Sequence, residues 1–191
     1  IYSLIIMPIC FDLQSLKEKH DCNIYFETGL WDVDAEDTSL CKASRMDFER
    51  LYSVEINTDF VSKGEKKFSK EIESNKMNIF QGDSKKLKEY LSSLSFDDKD
   101  RIVFFLDSHG SGHGCPLVEE LDAIKEMSFK NPPIIILDDV RIIRDCCWSD
   151  SRYNGASFED ILKAKIKDIH CDYVFSYLDG HQKDDCLLAS F

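Results

Sequence analysis

The chain has 191 residues, with 24 Lys and Arg against 36 Asp and Glu, a formal net charge of −12. That length is one domain, and 43% hydrophobic and 12% aromatic residues supply a core, which excludes intrinsic disorder. The acidic surplus argues against a nucleic-acid binder, because affinity for phosphate comes from clustered cations, and it leaves open a cationic or neutral small molecule or a bound metal ion.

Eight cysteines, about 4% of the chain, fall below the density of a disulfide scaffold. None forms a C-x-x-C pair, so reduced thiols and a cytoplasmic location are expected. Residues 1–13 are apolar but shorter than the ~20 needed to cross a bilayer, and they lack the basic flank of a secretory signal. No membrane segment is expected within residues 1–191. Residues 1–21 read as an apolar segment with a helix, and residues 22–191 as the main domain.

Taken in order, short apolar runs alternate with longer polar stretches of helical period. Strands are expected at Ile24–Glu27, Leu51–Glu55, Met77–Gln81, Ile102–Asp107, Ile134–Asp138, Tyr173–Leu178 and Cys186–Ser190. Each is rich in Ile, Val, Phe or Tyr, or in Leu, as strands buried on both faces are. Asp59–Ser74 puts Phe60, Val61, Gly64, Phe68 and Ile72 on one helical stripe, and Ser84–Leu94 does so with Leu87, Tyr90, Leu91 and Leu94. Pro116–Met127 begins with a proline suited to a first helical position. Ser157–Ile169 has Ser157 as its expected N-cap.

Strand followed by crossover, repeated five times, implies a parallel sheet with right-handed connections. Between the last two runs lie only residues 179–185, too few for a crossover helix but enough for an antiparallel hairpin. The expected fold is α/β: a three-layer α/β/α Rossmann-like sandwich around a mostly parallel seven-stranded sheet with an antiparallel C-terminal hairpin strand.

In such a sheet the ligand binds beyond the carboxyl ends of the strands, near the point where strand order reverses. An acid stands at each of the five parallel ends: Glu27, Glu55, Asp83, Asp107 and Asp138-Asp139. Asp is common at such loops and N-caps, which accounts for one or two of them. Five together suggest a shared rim that holds something positive, since unpaired like charges repel.

These residues carry a family resemblance. Glu27-Thr28-Gly29, Glu55, Gly82-Asp83-Ser84 and Leu106-Asp107-Ser108-His109, followed by the terminal hairpin, resemble class I S-adenosylmethionine-dependent methyltransferases. Pro116–Leu121, Leu137-Asp138-Asp139-Val140-Arg141 and Leu178-Asp179-Gly180-His181-Gln182 are similar to a bacterial and viral branch of them, so residues 22–191 read as a methyltransferase-like domain. The resemblance implies S-adenosylmethionine as cofactor and transfer of its methyl group to an oxygen of a small molecule or sugar.

It also implies roles. Gly29 lets the backbone approach the methionine portion, with Thr28 beside it. Glu27 accepts from the cofactor's ammonium group or orders the turn. Glu55 takes both ribose hydroxyls. Asp83 accepts from the adenine amino group or acts only as an N-cap, with Ser84 next to it. Asp107 borders the cofactor, and His109 is the best-placed general base. Asp107, Asp138 and Asp139 resemble the magnesium site of catechol-type O-methyltransferases, an oxygen-only set suited to a hard dication that lowers the acceptor's pKa. Asp138 and Asp139 alternatively pair with Arg141 and Arg144. His109, His113 and Cys115 suggest zinc, but no fourth ligand follows, and a glycine-rich loop explains them as well.

One departure stands out. Where the family has further glycines, this chain continues from Gly29 into Leu30-Trp31-Asp32-Val33-Asp34-Ala35-Glu36-Asp37. Those bulky, acidic residues narrow the expected cofactor site and favour a second reading, a non-catalytic binding or assembly module on the same fold. A nicotinamide oxidoreductase is disfavoured by the absence of G-x-G-x-x-G.

Overall fold

The computed structural model describes residues 9–34, 38–108, 115–144 and 157–191. The expected general base His109, together with His113, falls outside them. Seven strands form a single sheet: β1 (Ile24–Thr28), β2 (Arg50–Glu55), β3 (Met77–Gln81), β4 (Ile102–Leu106), β5 (Ile134–Leu137), β6 (Val174–Leu178) and β7 (Cys186–Ser190). Their spatial order is β3-β2-β1-β4-β5-β7-β6. β1 to β5 pair in parallel, while β7 runs antiparallel to both β5 and β6. This is the expected mixed sheet.

β1, β4 and β5 are buried along their whole length, which is why they read as continuous apolar runs rather than alternating ones. One face of the sheet packs Phe26, Phe104 and Leu137 against α5 (Leu87–Ser92), α6 (Leu117–Met127) and α8 (Phe158–Ile169). The other packs Tyr25, Leu51 and Phe105 against α1 (Leu13–Lys19), α2 (Ser39–Ser44) and α3 (Thr58–Lys67). Asp12 caps α1, Asn57 caps α3 and Ser157 caps α8, each accepting a backbone N–H of the first turn.

The helices differ from expectation in three places. The stripe over residues 59–74 breaks at Phe68 (φ −104°, ψ 26°) into α3 and α4 (Ser69–Glu73). Phe68 is buried, so the chain turns there to put it inside. Residues 84–94 begin with a 3-10 turn at Ser84–Lys86 before α5. α2 and α7 (Val140–Arg144) are helices of six and five residues, too short to show a helical period in sequence. Among the described residues no helix is long and apolar enough to cross a membrane.

At the amino end of the sheet, Arg50 meets the buried Asp100 carboxylate at 2.5 Å. Asp100 also accepts from the Asp97 backbone N–H (2.6 Å) and the Asn23 amide (3.2 Å). This knot joins the starts of β1, β2 and β4 away from the rim that carries the candidate site.

Candidate functional site

From β1 the chain passes outward to β2 and β3, then returns to β4 on the other side of β1. The switch point therefore lies between the ends of β1 and β4, where crevices form in open sheets. Thr28-Gly29 and Asp107-Ser108 flank it. Gly29 has φ +90°, and a Cβ there would lie 2.8 Å from the Asp107 carbonyl carbon and 3.2 Å from Ser108 Cα. Glycine is thus required by the close approach of two backbones at the switch. The Gly29 N–H donates to Val54 O (2.9 Å) and the Asp107 N–H to Thr28 O (3.0 Å), fixing both turns.

Glu27 does not face the crevice. It is fully buried, and its carboxylate accepts from Tyr25 Oη (2.9 Å), Ser39 Oγ (2.5 Å) and Ser53 Oγ (2.9 Å). Burial pushes its pKa up from 4.5 to about 7, although the three hydroxyls oppose the rise. Of its two expected roles, ordering the turn region is the one its contacts support. It ties β1 to β2 and to the start of α2. Ser39 and Ser53 gave no signal of this in sequence, because they lie 12 and 26 residues away from Glu27.

Glu55 closes β2 at the rim, nearly buried. Its oxygens accept the backbone N–H groups of Trp31 (3.1 Å) and Asn57 (2.7 Å). Each carboxylate oxygen has two acceptor positions, so one on each remains after these bonds. Trp31 is held in the left-handed region (φ 59°) with its ring 5.3 Å from that of Phe60 on α3. Leu30 and Val33 are buried, and Lys63 pairs with Asp32 (2.7 Å) and Asp34 (3.2 Å). The described part of the acidic loop therefore folds back on α3, and its charge is offset there.

Asp83 accepts the Lys85 N–H (2.9 Å) and caps the 3-10 turn. The buried Ser84 hydroxyl donates to Ser108 Oγ (2.9 Å), which donates to Glu120 Oε1 (2.5 Å). A polar chain thus crosses the crevice floor from the turn after β3 to the first turn of α6. Ser108 and Glu120 both lie within the motifs that carry the family resemblance, but neither was given a role there, since their contact joins residues 12 positions apart on different elements. Thr28 is fully buried at the end of β1, and among the described residues its hydroxyl has no hydrogen-bond partner.

Beyond β4 and β5 the acids crowd. Asp107 is held well above the ordinary carboxyl range, first by exclusion from water and then by the charges of Asp138, Asp139 and Glu27, against the opposing pull of Arg141. Among the described residues, oxygens of Asp138, Asp139 and Asp185 lie within 4.8 Å of one another. Asp107, expected in such a group, is not a member, and Asp185 from the β6–β7 hairpin takes the third place. Asp139 Oδ1 meets Arg141 Nη1 at 2.5 Å, and the same guanidinium contacts the fully buried Asp185. Asp138 Oδ1 accepts from the Cys186 thiol at 2.9 Å. The alternative of pairing with Arg141 holds for Asp139, whereas Arg144 pairs with Glu159 (2.7 Å).

No family pattern and no curated protein sequence matches the chain. Solved structures do share its shape. An O-methyltransferase from Bacillus cereus in complex with SAH has a TM-score of 0.57 at 12% identity, covering 93% of this chain and 77% of that one. A protein assigned as a caffeoyl-CoA O-methyltransferase in Staphylococcus aureus has 0.56 at 15%, covering 96% and 85%. An SAH-bound methyltransferase from Podospora anserina has 0.54 at 12%, covering 93% and 75%. At such identities the likeness concerns architecture, and this chain has the mixed seven-stranded fold of those methyltransferases.

Proposed function

We propose that the chain binds S-adenosylmethionine at the switch point and transfers its methyl group to an oxygen of a small molecule or sugar. The observation that carries this is the pair of groups at the carboxyl ends of neighbouring strands: a carboxylate oriented at the end of β2 by two backbone N–H groups, and at the end of β1 a fully buried Thr28 hydroxyl with no partner among the described residues. A buried polar group without a partner costs stability unless a ligand supplies one. The remaining acceptor positions on Glu55 suit the vicinal hydroxyls of a ribose, and Asp83 with Ser84 lies at the turn an adenine would reach.

When bound, the sulfonium supplies the electrophilic methyl group. The chain's part is to orient it, keep water out and receive the acceptor's proton. Asp107 at the switch is the group placed for that proton, with His109 two residues further on. The expected magnesium ion does not fit Asp138, Asp139 and Asp185 as they stand, because a guanidinium already lies among them, so no step runs through a metal.

Titration calorimetry with S-adenosylhomocysteine tests the reading. The wild type should bind, and Glu55→Ala should weaken binding by on the order of tenfold to a hundredfold, the value of one or two hydrogen bonds. Neither heat nor a thermal shift at millimolar ligand would end the cofactor assignment. That outcome would leave the second reading, a non-catalytic module, which one specific contact favours: the Trp31 N–H sits on the carboxylate a ribose would need.

A further inference from the structure

We infer that Arg141 is the resident cation of the acidic rim, held by Asp139 and Asp185 where a divalent ion was expected, so that this rim works without a metal. The geometry of the three carboxylates by itself would admit an ion, because oxygens within 4.8 Å of one another span the ~4 Å between opposite ligands of an octahedral dication. Charge decides against it. Arg141 Nη1 stands 2.5 Å from Asp139 Oδ1 and also touches Asp185, so its positive charge lies inside the would-be ligand shell.

The rest of the local structure is built to keep it there. Asp185 is fully buried and accepts the Arg141 backbone N–H at 3.0 Å through its other oxygen, while its own carbonyl accepts the Val140 N–H at 2.7 Å. The hairpin therefore grips both the backbone and the side chain of Arg141, 44 residues earlier in the chain. Asp139 adopts φ 56°, an uncommon backbone state for a non-glycine residue that Asp tolerates better than most. The third acid, Asp138, accepts from the Cys186 thiol at 2.9 Å. Burial and the neighbouring acids push the Cys186 pKa up, so its S–H stays in place as a donor. Arg suits this position because its guanidinium remains charged when partly buried and presents several donors in one plane.

This deepens the proposed function, since it removes the metal from the same rim. Its test needs no cofactor, so failure of one leaves the other standing. Manganese binding to the full chain is followed by the loss of the free-ion electron paramagnetic resonance signal. The wild type should leave manganese free at millimolar metal. Arg141→Gln removes one positive charge about 4 Å from the ion, which should tighten binding roughly thirtyfold even if the site were screened like bulk water. Asp139→Asn added to that variant should abolish the gain. Arg141→Lys keeps the charge and should stay metal-free, a comparison that still stands if the Gln variant fails to fold. Stoichiometric manganese binding by the wild type, lost in Asp139→Asn, would overturn the inference. So would an Arg141→Gln variant that folds and binds no more manganese than the wild type.

Discussion

Glu27→Gln is the perturbation that bears most directly on how this rim is built. Glu27 lies fully buried among three hydroxyls, and its pKa rises from 4.5 to about 7. The native state therefore keeps a proton that the unfolded chain releases across that window, so this group's contribution to stability is complete below about pH 4.5 and is lost as pH rises to about 7. At 1.36 kcal/mol for each tenfold change in acidity, the loss is about 3 kcal/mol. Gln cannot ionise, and it retains an acceptor for the hydroxyls. Near pH 5 the variant should be within about 1 kcal/mol of the wild type. By pH 8 it should have gained about 3 kcal/mol relative to it, roughly 6–12 °C in Tm for a domain of this size. Urea unfolding of both proteins at matched pH gives the difference directly, and titrations elsewhere cancel in it. A difference that stays flat from pH 5 to 8, or one that moves against the variant, would refute a buried carboxyl with a raised pKa.

Gly29→Ala should destabilise the fold by about 2–4 kcal/mol, from an unfavourable φ and an overpacked contact with the Asp107 backbone; thermal melting checks it, and an unchanged Tm would count against the switch-point packing. Asp100→Asn should cost about 2–3 kcal/mol at neutral pH, because it weakens a buried ion pair that Arg50 keeps partly open to water. Asp100 is held below its ordinary pKa of 3.8, the Arg50 contact and the Asp97 N–H outweighing burial, so its contribution is present above that value and lost as pH falls through the folded value. Acid unfolding of Asp100→Asn should accordingly show a smaller loss between neutral pH and pH 3 than the wild type. Ser108→Ala should cost about 1–2 kcal/mol by removing the hydroxyl that bridges Ser84 and Glu120, read from the urea midpoint at constant m.

Every run announced its element to within a residue, most plainly β4 and β5, where strands buried along their whole length are apolar throughout. Met77–Gln81 and Cys186–Ser190 were exact, and β4 and β5 ended one residue early, at Leu106 and Leu137. The acids at the strand ends were legible for the same reason, as abrupt polar residues closing apolar runs. Their directions were not. Glu27 and Glu55 share a parity on neighbouring strands, yet one is enclosed by Tyr25, Ser39 and Ser53 while the other reaches the rim, where it accepts from Trp31 and Asn57. The difference depends on what packs above each, and that comes from distant chain.

Local pattern alone determined the succession of strands and crossovers, the closing hairpin and the acids that end the parallel strands, because burial period and turn length act over a few residues at a time. Only the tertiary structure decided which charges meet. Asp185 reaches Arg141 across 44 residues, Ser108 links the turn after β3 to α6, and Gly29 is demanded by the backbone of Asp107. Contacts of that kind arise when the sheet brings remote strand ends within a few ångströms, and no local spacing encodes them.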